Sequence, residues 1–197
     1  MKKLKLMTIL GTRPEIIRLS ETIKACDKYF DHVLVHTGQN YDVNLNDIFF
    51  SELGLKKPDY FLECVGNTLG ESMGNIIAKS YDVIVKENPD AVLVLGDTNS
   101  ALSAISAKRL KKPIFHMEAG NRCWDWNVSE MINRRIVDSI SDINLPYTEN
   151  SRRYLLSEGV DGKTIFVTGS PMSEVINAHK DKIEQSDILD KLNLKPK

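Results

Sequence analysis

The feature that most constrains the fold is a repeated alternation of short apolar runs with longer amphipathic segments. Residues 91–95 are the clearest run, wholly apolar and bounded by Asn88-Pro89-Asp90 and Gly96. A strand without polar alternation is typical of a central parallel strand that is buried on both faces. Because parallel strands need crossover connections, the alternation predicts an α/β fold, a Rossmann-like doubly wound parallel sheet.

Apolar runs and helical spacing locate the individual elements. The predicted strands cover residues 4–10, 32–37, 60–64, 91–95, 113–117, 143–145 and 164–167. The predicted helices cover a segment opened by Pro14, then residues 42–53, 68–87, 100–110, 130–140, 150–157 and 173 onward. Thr68 and Glu71 form a capping-box pattern at the start of one of them. Because residues 179–197 are polar and rich in lysine, we predict a Rossmann-like domain at 1–172 and a helical hinge at 173–197.

Composition excludes several classes of protein. The 197 residues carry 26 basic and 27 acidic side chains, a net charge of -1, so neither a nucleic-acid partner nor a membrane surface is indicated. No apolar stretch approaches the length of a transmembrane span. The three cysteines are widely spaced without a C-x-x-C pair. This cysteine usage is typical of a reduced cytoplasmic protein and predicts no metal site.

Glycine with polar or charged neighbours follows four of the predicted strands. These turns are residues 11–15, 38–42, 96–99 and 118–122. Each turn alone is as well explained by ordinary turn chemistry, in which glycine and aspartate are common. Open parallel sheets, however, bind ligands at the carboxyl ends of their strands. Four such turns at one edge therefore favour a functional site there.

The turn at 11–15 resembles a phosphate-binding turn, because a glycine and Arg13 adjoin a helix N-terminus with free N–H groups. It matches neither the G-x-G-x-x-G fingerprint nor a Walker A loop, so it gives little support for a dinucleotide site. Arg18 lies one helical turn beyond Glu15 and is able to reach the same edge. Taken alone, Arg18 is better explained as a solvated helix residue.

Asp97 and Glu118 each end an apolar strand. If those strands are neighbours, their backbones lie about 4.8 Å apart. Two carboxylates that close compete for ionisation, which places a proton donor beside a proton acceptor, as acid–base chemistry requires. The alternative for Asp97 is that it caps the next helix. Glu130 lies in a helical first turn, where a favourable dipole interaction is the simpler explanation.

Four aromatic side chains have two interpretations each. Trp124 and Trp126 either shield or stack on a ligand, or pack on the surface of their own domain. His36 and His116 lie inside predicted strands, which favours a structural role in the core over a catalytic one.

Six motifs, taken together, closely resemble the non-hydrolysing UDP-N-acetylglucosamine 2-epimerase family over residues 4–172. The motifs, in order, are Gly11-Thr12-Arg13-Pro14-Glu15, His36-Thr37-Gly38-Gln39, Gly96-Asp97-Thr98-Asn99-Ser100, His116-Met117-Glu118-Ala119-Gly120, Asn133-Arg134 and Thr168-Gly169-Ser170-Pro171. The strings 118–123 and 39–42 are similar to the branch that converts UDP-2-acetamido-2,6-dideoxy-β-L-talose to UDP-N-acetyl-L-fucosamine for surface polysaccharide.

The resemblance implies a GT-B-like architecture of two Rossmann-like domains across a cleft. It also implies a reaction without a cofactor or metal, in which the C2 proton is removed, UDP is eliminated to give a 2-acetamidoglycal, and UDP is added back. The implied acid–base residues are Asp97, Glu118 and Glu130. The implied substrate-binding residues are Arg13, Arg18, Gln39, Asn133 and Arg134. The family usually has lysine at the position of Arg18, and often has Pro-Glu-Glu where this chain has Ser129-Glu130-Met131.

The resemblance also implies a second, C-terminal domain beyond Lys197, with the uracil and diphosphate contacts and a further catalytic histidine. We therefore expect the N-terminal half of a homodimeric epimerase, completed by a separate or removed C-terminal half. The alternatives are a catalytically inactive remnant, a GT-B glycosyltransferase domain, against which the Asp97 and Glu118 pair argues, and a hydrolysing epimerase. A hydrolysing enzyme would release free sugar and UDP.

Overall fold

The computed structural model of the chain, which describes residues 3–38 and 43–194, is built on a single parallel sheet. Six strands pair in the order β3-β2-β1-β4-β5-β6, and every pair is parallel. The strands are β1 Lys5–Leu10, β2 Asp31–His36, β3 Tyr60–Phe61, β4 Ala91–Leu95, β5 Ile114–Met117 and β6 Ile143–Leu145. This is the strand order of a Rossmann fold, in which the order of the strands reverses between β1 and β4. The predicted doubly wound parallel sheet is confirmed.

Helices cover both faces of the sheet. They are α1 Arg13–Tyr29, α2 Val43–Glu52, α3 Leu69–Glu87, α4 Ser103–Arg109, α5 Ser129–Ile140, α6 Glu149–Ser157, α7 Met172–Ala178, α8 Lys180–Glu184 and α9 Ile188–Lys191. Short 3-10 turns precede α4 at Asn99–Leu102 and α7 at Gly162–Thr164. Among the described residues, no helix is both long enough and apolar enough to cross a bilayer.

The alternation of side chains along each strand divides the core into two layers. Val92 and Val94 of β4 pack with α3, α4 and α5 on one face. Leu93 and Leu95 of the same strand pack with α1 and α2 on the other. Because successive strand residues point to opposite faces, a run that is apolar at every position is buried on both sides.

Three elements differ from the sequence-based prediction. Residues 164–167 form no strand. An isolated bridge joins Ile165 to Asn144, the Phe166 N–H donates to the Asn144 carbonyl, and the side chains of Phe166 and Val167 are exposed. A segment outside the last strand has a partner on one side only, which explains its weak pairing. The third strand is two residues long rather than five, and the helix predicted from residue 173 is broken into α7, α8 and α9.

The start of α3 shows the predicted cap in a modified form. The Thr68 hydroxyl accepts a hydrogen bond from the Glu71 N–H, as the capping-box pattern predicts. The Glu71 carboxylate, in contrast, accepts from the N–H of Asn67 rather than from that of Thr68. The reciprocal bond is therefore made one residue earlier in the chain.

Candidate active site

The carboxyl edge of the sheet brings the functional turns together. The ladder continues past the ends of β4 and β5, because the Gly96 N–H donates to the Met117 carbonyl and the Glu118 N–H to the Leu145 carbonyl. Gly96 has φ of 66° and Glu118 has φ of 64°, both left-handed. A glutamate in this region is uncommon, and such strained residues cluster at functional sites.

Asp97 lies on one side of this edge, at the mouth of a small cleft. The Arg134 guanidinium forms an ion pair with its carboxylate. The cleft has a volume of about 240 Å³ and is lined by Thr12, Leu69, Asp97, Thr98, Asn99, Ser129, Glu130 and Asn133. Glu130 is exposed there, and hydrogen bonds from its own N–H and the Ser129 hydroxyl hold its pKa below the ordinary value. Asp97 and Glu130 therefore face the same cleft.

Glu118 lies on the other side, held by two donors. The Arg18 guanidinium donates to Oε2 at 2.5 Å, and the Asn121 amide donates to Oε1 at 3.2 Å. The Ser151 hydroxyl in turn donates to Oδ1 of Asn121, which fixes the orientation of that amide. Both carboxylate oxygens of Glu118 are thus oriented by side chains from α1 and from its own turn.

The predicted pair of carboxylates is present at one edge, but the two are not paired with each other. A Cβ built on Gly96, the residue before Asp97, would lie 3.7 Å from Oε2 of Glu118. Glu118 therefore adjoins the turn that carries Asp97. Each carboxylate, however, has its own arginine, so the two form separate ion pairs. Arg18 reaches the edge, contrary to its interpretation as a merely solvated residue.

The turn at Gly11 differs from a simple phosphate-binding turn, because a carboxylate of this chain already occupies it. Oε2 of Glu15 accepts from the Gly11 N–H at 3.0 Å, the Thr12 hydroxyl at 2.8 Å and the Ser100 hydroxyl at 3.2 Å. Burial raises the pKa of Glu15 to about 7, against these hydrogen bonds, which lower it. Arg13 remains exposed and forms no ion pair with the residues that the structure describes.

Glu15 predicts a pH dependence of stability. Because its pKa is higher in the folded state than in the unfolded chain, the folded state binds its proton more tightly, and the free energy of unfolding is expected to fall as pH rises from about 4.5 to about 7. Urea unfolding of wild type and of Glu15→Gln at about pH 5 and about pH 8 measures this dependence. At about pH 8, the free energy of unfolding of Glu15→Gln is expected to exceed that of wild type by on the order of 3 kcal/mol. Exposed Glu149→Gln is the control, and a pH-independent difference for Glu15→Gln would contradict the prediction.

The remaining predicted residues fall into three groups. Asn133 is buried, and its amide donates to the Asp97 carbonyl and to Oδ1 of Asn99, so it supports the turn that carries Asp97. Gln39 lies outside the described residues. Trp124 and Trp126 lie on the surface of their own domain, where the Arg135 guanidinium is 4.6 Å from the Trp126 ring centroid. Both rings are exposed, and shielding or stacking on a ligand stays a prediction.

The buried positions of two carboxylates were not predicted from the sequence. Glu15 follows Thr12 at capping-box spacing, a local pattern that predicts the contact between them but not the burial of the Glu15 carboxylate. Asp138 is buried on α5 between His116 and Arg122, and no local pattern marks it. The histidines are confirmed as core residues, since His36 and His116 are fully buried. No three His, Cys, Asp or Glu side chains within residues 3–38 and 43–194 come together as a metal site.

The Rossmann-like sheet is that of one half of a GT-B-like protein. A family model described as UDP-N-acetylglucosamine 2-epimerase matches residues 24–197. The chain belongs to this family. Acinetobacter baumannii MurG, at 8% identity and a TM-score of 0.59 over 85% of this chain and 45% of MurG, shares the fold alone.

Solved structures and curated relatives agree with this assignment. The structure of UDP-N-acetylglucosamine 2-epimerase from Rickettsia bellii is 56% identical with a TM-score of 0.93, over 98% of this chain and 52% of that one. The Methanocaldococcus jannaschii enzyme in complex with UDP-GlcNAc and UDP is 39% identical with a TM-score of 0.90, over 96% and 53%. The UDP-2,3-diacetamido-2,3-dideoxy-D-glucuronate 2-epimerase of Pseudomonas aeruginosa is 42% identical over 81% of this chain and 46% of its own length. The chain spans about half the length of the curated relatives it matches.

Proposed function

We propose that this chain is the N-terminal half of a non-hydrolysing UDP-N-acetylhexosamine 2-epimerase and carries most of the acid–base groups. One observation carries the proposal. In a chain of this family, the carboxylates of Asp97 and Glu118 adjoin the same turn at the carboxyl edge, and an arginine orients each. Oriented carboxylates at a sheet edge are suited to moving a proton to and from a bound sugar.

The proposed reaction removes the proton at C2, eliminates UDP across C1 and C2 to give a 2-acetamidoglycal, and adds UDP back with a proton on the opposite face. A reaction that inverts C2 needs a group that removes a proton and one that returns it. Asp97, Glu118 and Glu130 are the proposed groups. Glu130 and Asp97 face one cleft and Glu118 lies across Gly96, so acid–base groups approach the edge from both sides.

The proposed substrate is a UDP-sugar, supported by the complex of the Methanocaldococcus jannaschii relative with UDP-GlcNAc and UDP. Arg13, Arg18, Gln39, Asn133 and Arg134 are the proposed substrate-binding residues. Arg13 is the most suitable for a phosphate, because its guanidinium is exposed, whereas Arg18 and Arg134 are engaged with carboxylates. The names of two relatives contain different UDP-sugars. The resemblance to the branch that acts on UDP-2-acetamido-2,6-dideoxy-β-L-talose therefore stays a prediction.

The proposed complete enzyme has a second half with the uracil and diphosphate contacts, forms a homodimer and works in the cytoplasm. Its second half is either a separate polypeptide or a continuation of this chain. An exposed Cys123 is compatible with a reducing compartment.

The test uses a chimera, hereafter the completed enzyme, in which this chain is fused to the part of the Rickettsia bellii protein that follows the matched region. Incubated with UDP-GlcNAc in D2O, the completed enzyme is expected to incorporate deuterium at C2 and to form the 2-epimer without releasing free sugar. A folded chimera that binds UDP but exchanges no C2 proton would contradict the proposal. Release of free sugar and UDP would identify a hydrolysing enzyme instead.

A further inference from the structure

We infer that Asp138 is a positioning residue that joins the turn carrying Asp97 to the turn carrying Glu118, with His116 as the link. The inference rests on the proposed function, in which these two carboxylates act on the same substrate. Asp138 is 2% exposed on α5 and touches no part of the cleft lined by Asp97 and Glu130. It therefore acts through other residues.

The first connection runs from Asp138 to the turn of Glu118. The Gly120 N–H, two residues after Glu118, donates to both carboxylate oxygens of Asp138 at 3.2 Å. Gly120 has φ of 78°, and a Cβ there would lie 2.4 Å from the carbonyl oxygen of Ser151. The turn is thus held between α5 and α6, and this is the support that the left-handed backbone of Glu118 requires.

The second connection runs from Asp138 through His116 to the turn of Asp97. Nδ1 of His116 lies 2.9 Å from Oδ1 of Asp138. On the other side of the ring, Nε2 lies 2.7 Å from the carbonyl oxygen of Gly96, the residue before Asp97. The Gly96 carbonyl oxygen only accepts, so Nε2 carries a proton. Nδ1 makes no aligned hydrogen bond with Asp138, and a proton on Nδ1 gives the ring the positive charge that forms an ion pair with the ionised carboxylate. The link is an imidazolium.

Charges of opposite sign adjoin one another around this link. Burial disfavours a charged imidazole, but the adjacent Asp138 carboxylate, with the Gly96 carbonyl and the charge of Asp97, leaves the pKa of His116 above its ordinary value. Burial likewise opposes ionisation of Asp138, but His116 and Arg122 hold its pKa below the ordinary value. Arg122 also pairs with Glu158, at 2.5 Å, and Arg135 pairs with the same carboxylate at 3.1 Å.

These contacts explain how two carboxylates on different strands keep a fixed separation. Movement of either turn would break a hydrogen bond in a buried, charged group, where lost bonds are most unfavourable. Small misplacements of reacting groups lower rates strongly, by about 100-fold for roughly 1 Å. A residue remote from the cleft is therefore able to control the chemistry without binding the substrate.

The test compares Asp138→Ala and Asp138→Asn with Asp142→Asn. Asp142 accepts a hydrogen bond from the Ile114 N–H at the start of β5, so it supports the same strand as Asp138 but at the end away from the proposed site. In the completed enzyme, we expect Asp138→Ala to lower kcat by about 10- to 100-fold with KM within about threefold, because positioning and not binding is lost. Asp138→Asn keeps an oxygen for Gly120 and is expected to recover part of the loss. Asp142→Asn should leave kcat unchanged.

A spectroscopic measurement on the 197-residue chain provides an independent check. In ¹⁵N NMR at neutral pH, both ring nitrogens of His116 should be protonated in wild type and in Asp142→Asn. In Asp138→Asn one nitrogen should lose its proton, and the Gly120 amide should exchange with solvent at least about tenfold faster. This measurement stands even if Asp138→Ala fails to fold.

The outcomes separate this inference from the proposed function. Wild-type kcat in both Asp138 variants, an equal loss in Asp142→Asn, or a neutral His116 in wild type would overturn the inference while leaving the epimerase intact. If the wild-type completed enzyme exchanges no C2 proton, the proposed function fails. The NMR result then decides alone whether Asp138 joins the two turns.

Discussion

In the completed enzyme, Glu118→Gln is expected to lower the rate of deuterium incorporation at C2 by about 100-fold or more, the scale typical of a general acid or base. Glutamine keeps the size of the side chain and the one hydrogen bond from Asn121, but it neither accepts nor donates the proton. Asp97→Asn is expected to have an effect of the same order, for the same reason.

The ion pairs determine how these variants are to be assessed. Each substitution also removes the partner of an arginine, Arg18 for Glu118 and Arg134 for Asp97, so a fall in rate from lost orientation must be separated from lost proton transfer. Arg18→Gln removes the Glu118 ion pair but leaves the carboxylate, and it should reduce the rate less than Glu118→Gln. Exposed Glu149→Gln is the control. Wild-type rates in both Glu118→Gln and Asp97→Asn would show that the carboxylates are structural.

The isolated 197-residue chain is expected to fold but to show no measurable epimerisation and only weak UDP-sugar binding. Departure of UDP leaves charge on the leaving group, and stabilising that charge needs fixed donors in a site that excludes water. The carboxyl edge of a single Rossmann-like domain is open, so its charges are screened by solvent. The cleft that Asp97 and Glu130 line has a volume of only about 240 Å³.

The measurement is deuterium incorporation at C2 with this chain alone, with a separately expressed C-terminal half of the Rickettsia bellii protein alone, and with the two mixed. Exchange should appear only in the mixture, and titration of one half against the other should saturate. Full turnover by the single chain would show that its active site is complete. Circular dichroism of the chain alone confirms that any inactivity is not a failure to fold.

Much of the fold could be predicted because its signals are local. The wholly apolar run between Asn88-Pro89-Asp90 and Gly96 located β4 at Ala91–Leu95 without error, and the predicted bounds of β6 at Ile143–Leu145 are also the observed ones. The prediction was wrong at residues 164–167, where the sequence has the composition of a strand but the sheet offers a partner on one side only. Pairing at an edge depends on neighbours, which composition does not report.

The sequence by itself determined which side chains reach the carboxyl edge, because strand length and turn chemistry place Asp97 and Glu118 directly after their strands. Only the tertiary structure decided what those side chains contact. Arg18 meets Glu118 from 100 residues away, because the strand order places β1 beside β4 and β4 beside β5. The link from Asp138 through His116 to Gly96 likewise depends on α5 packing behind β5. Contacts of this kind arise from the arrangement of the elements in space, and no spacing along the chain specifies them.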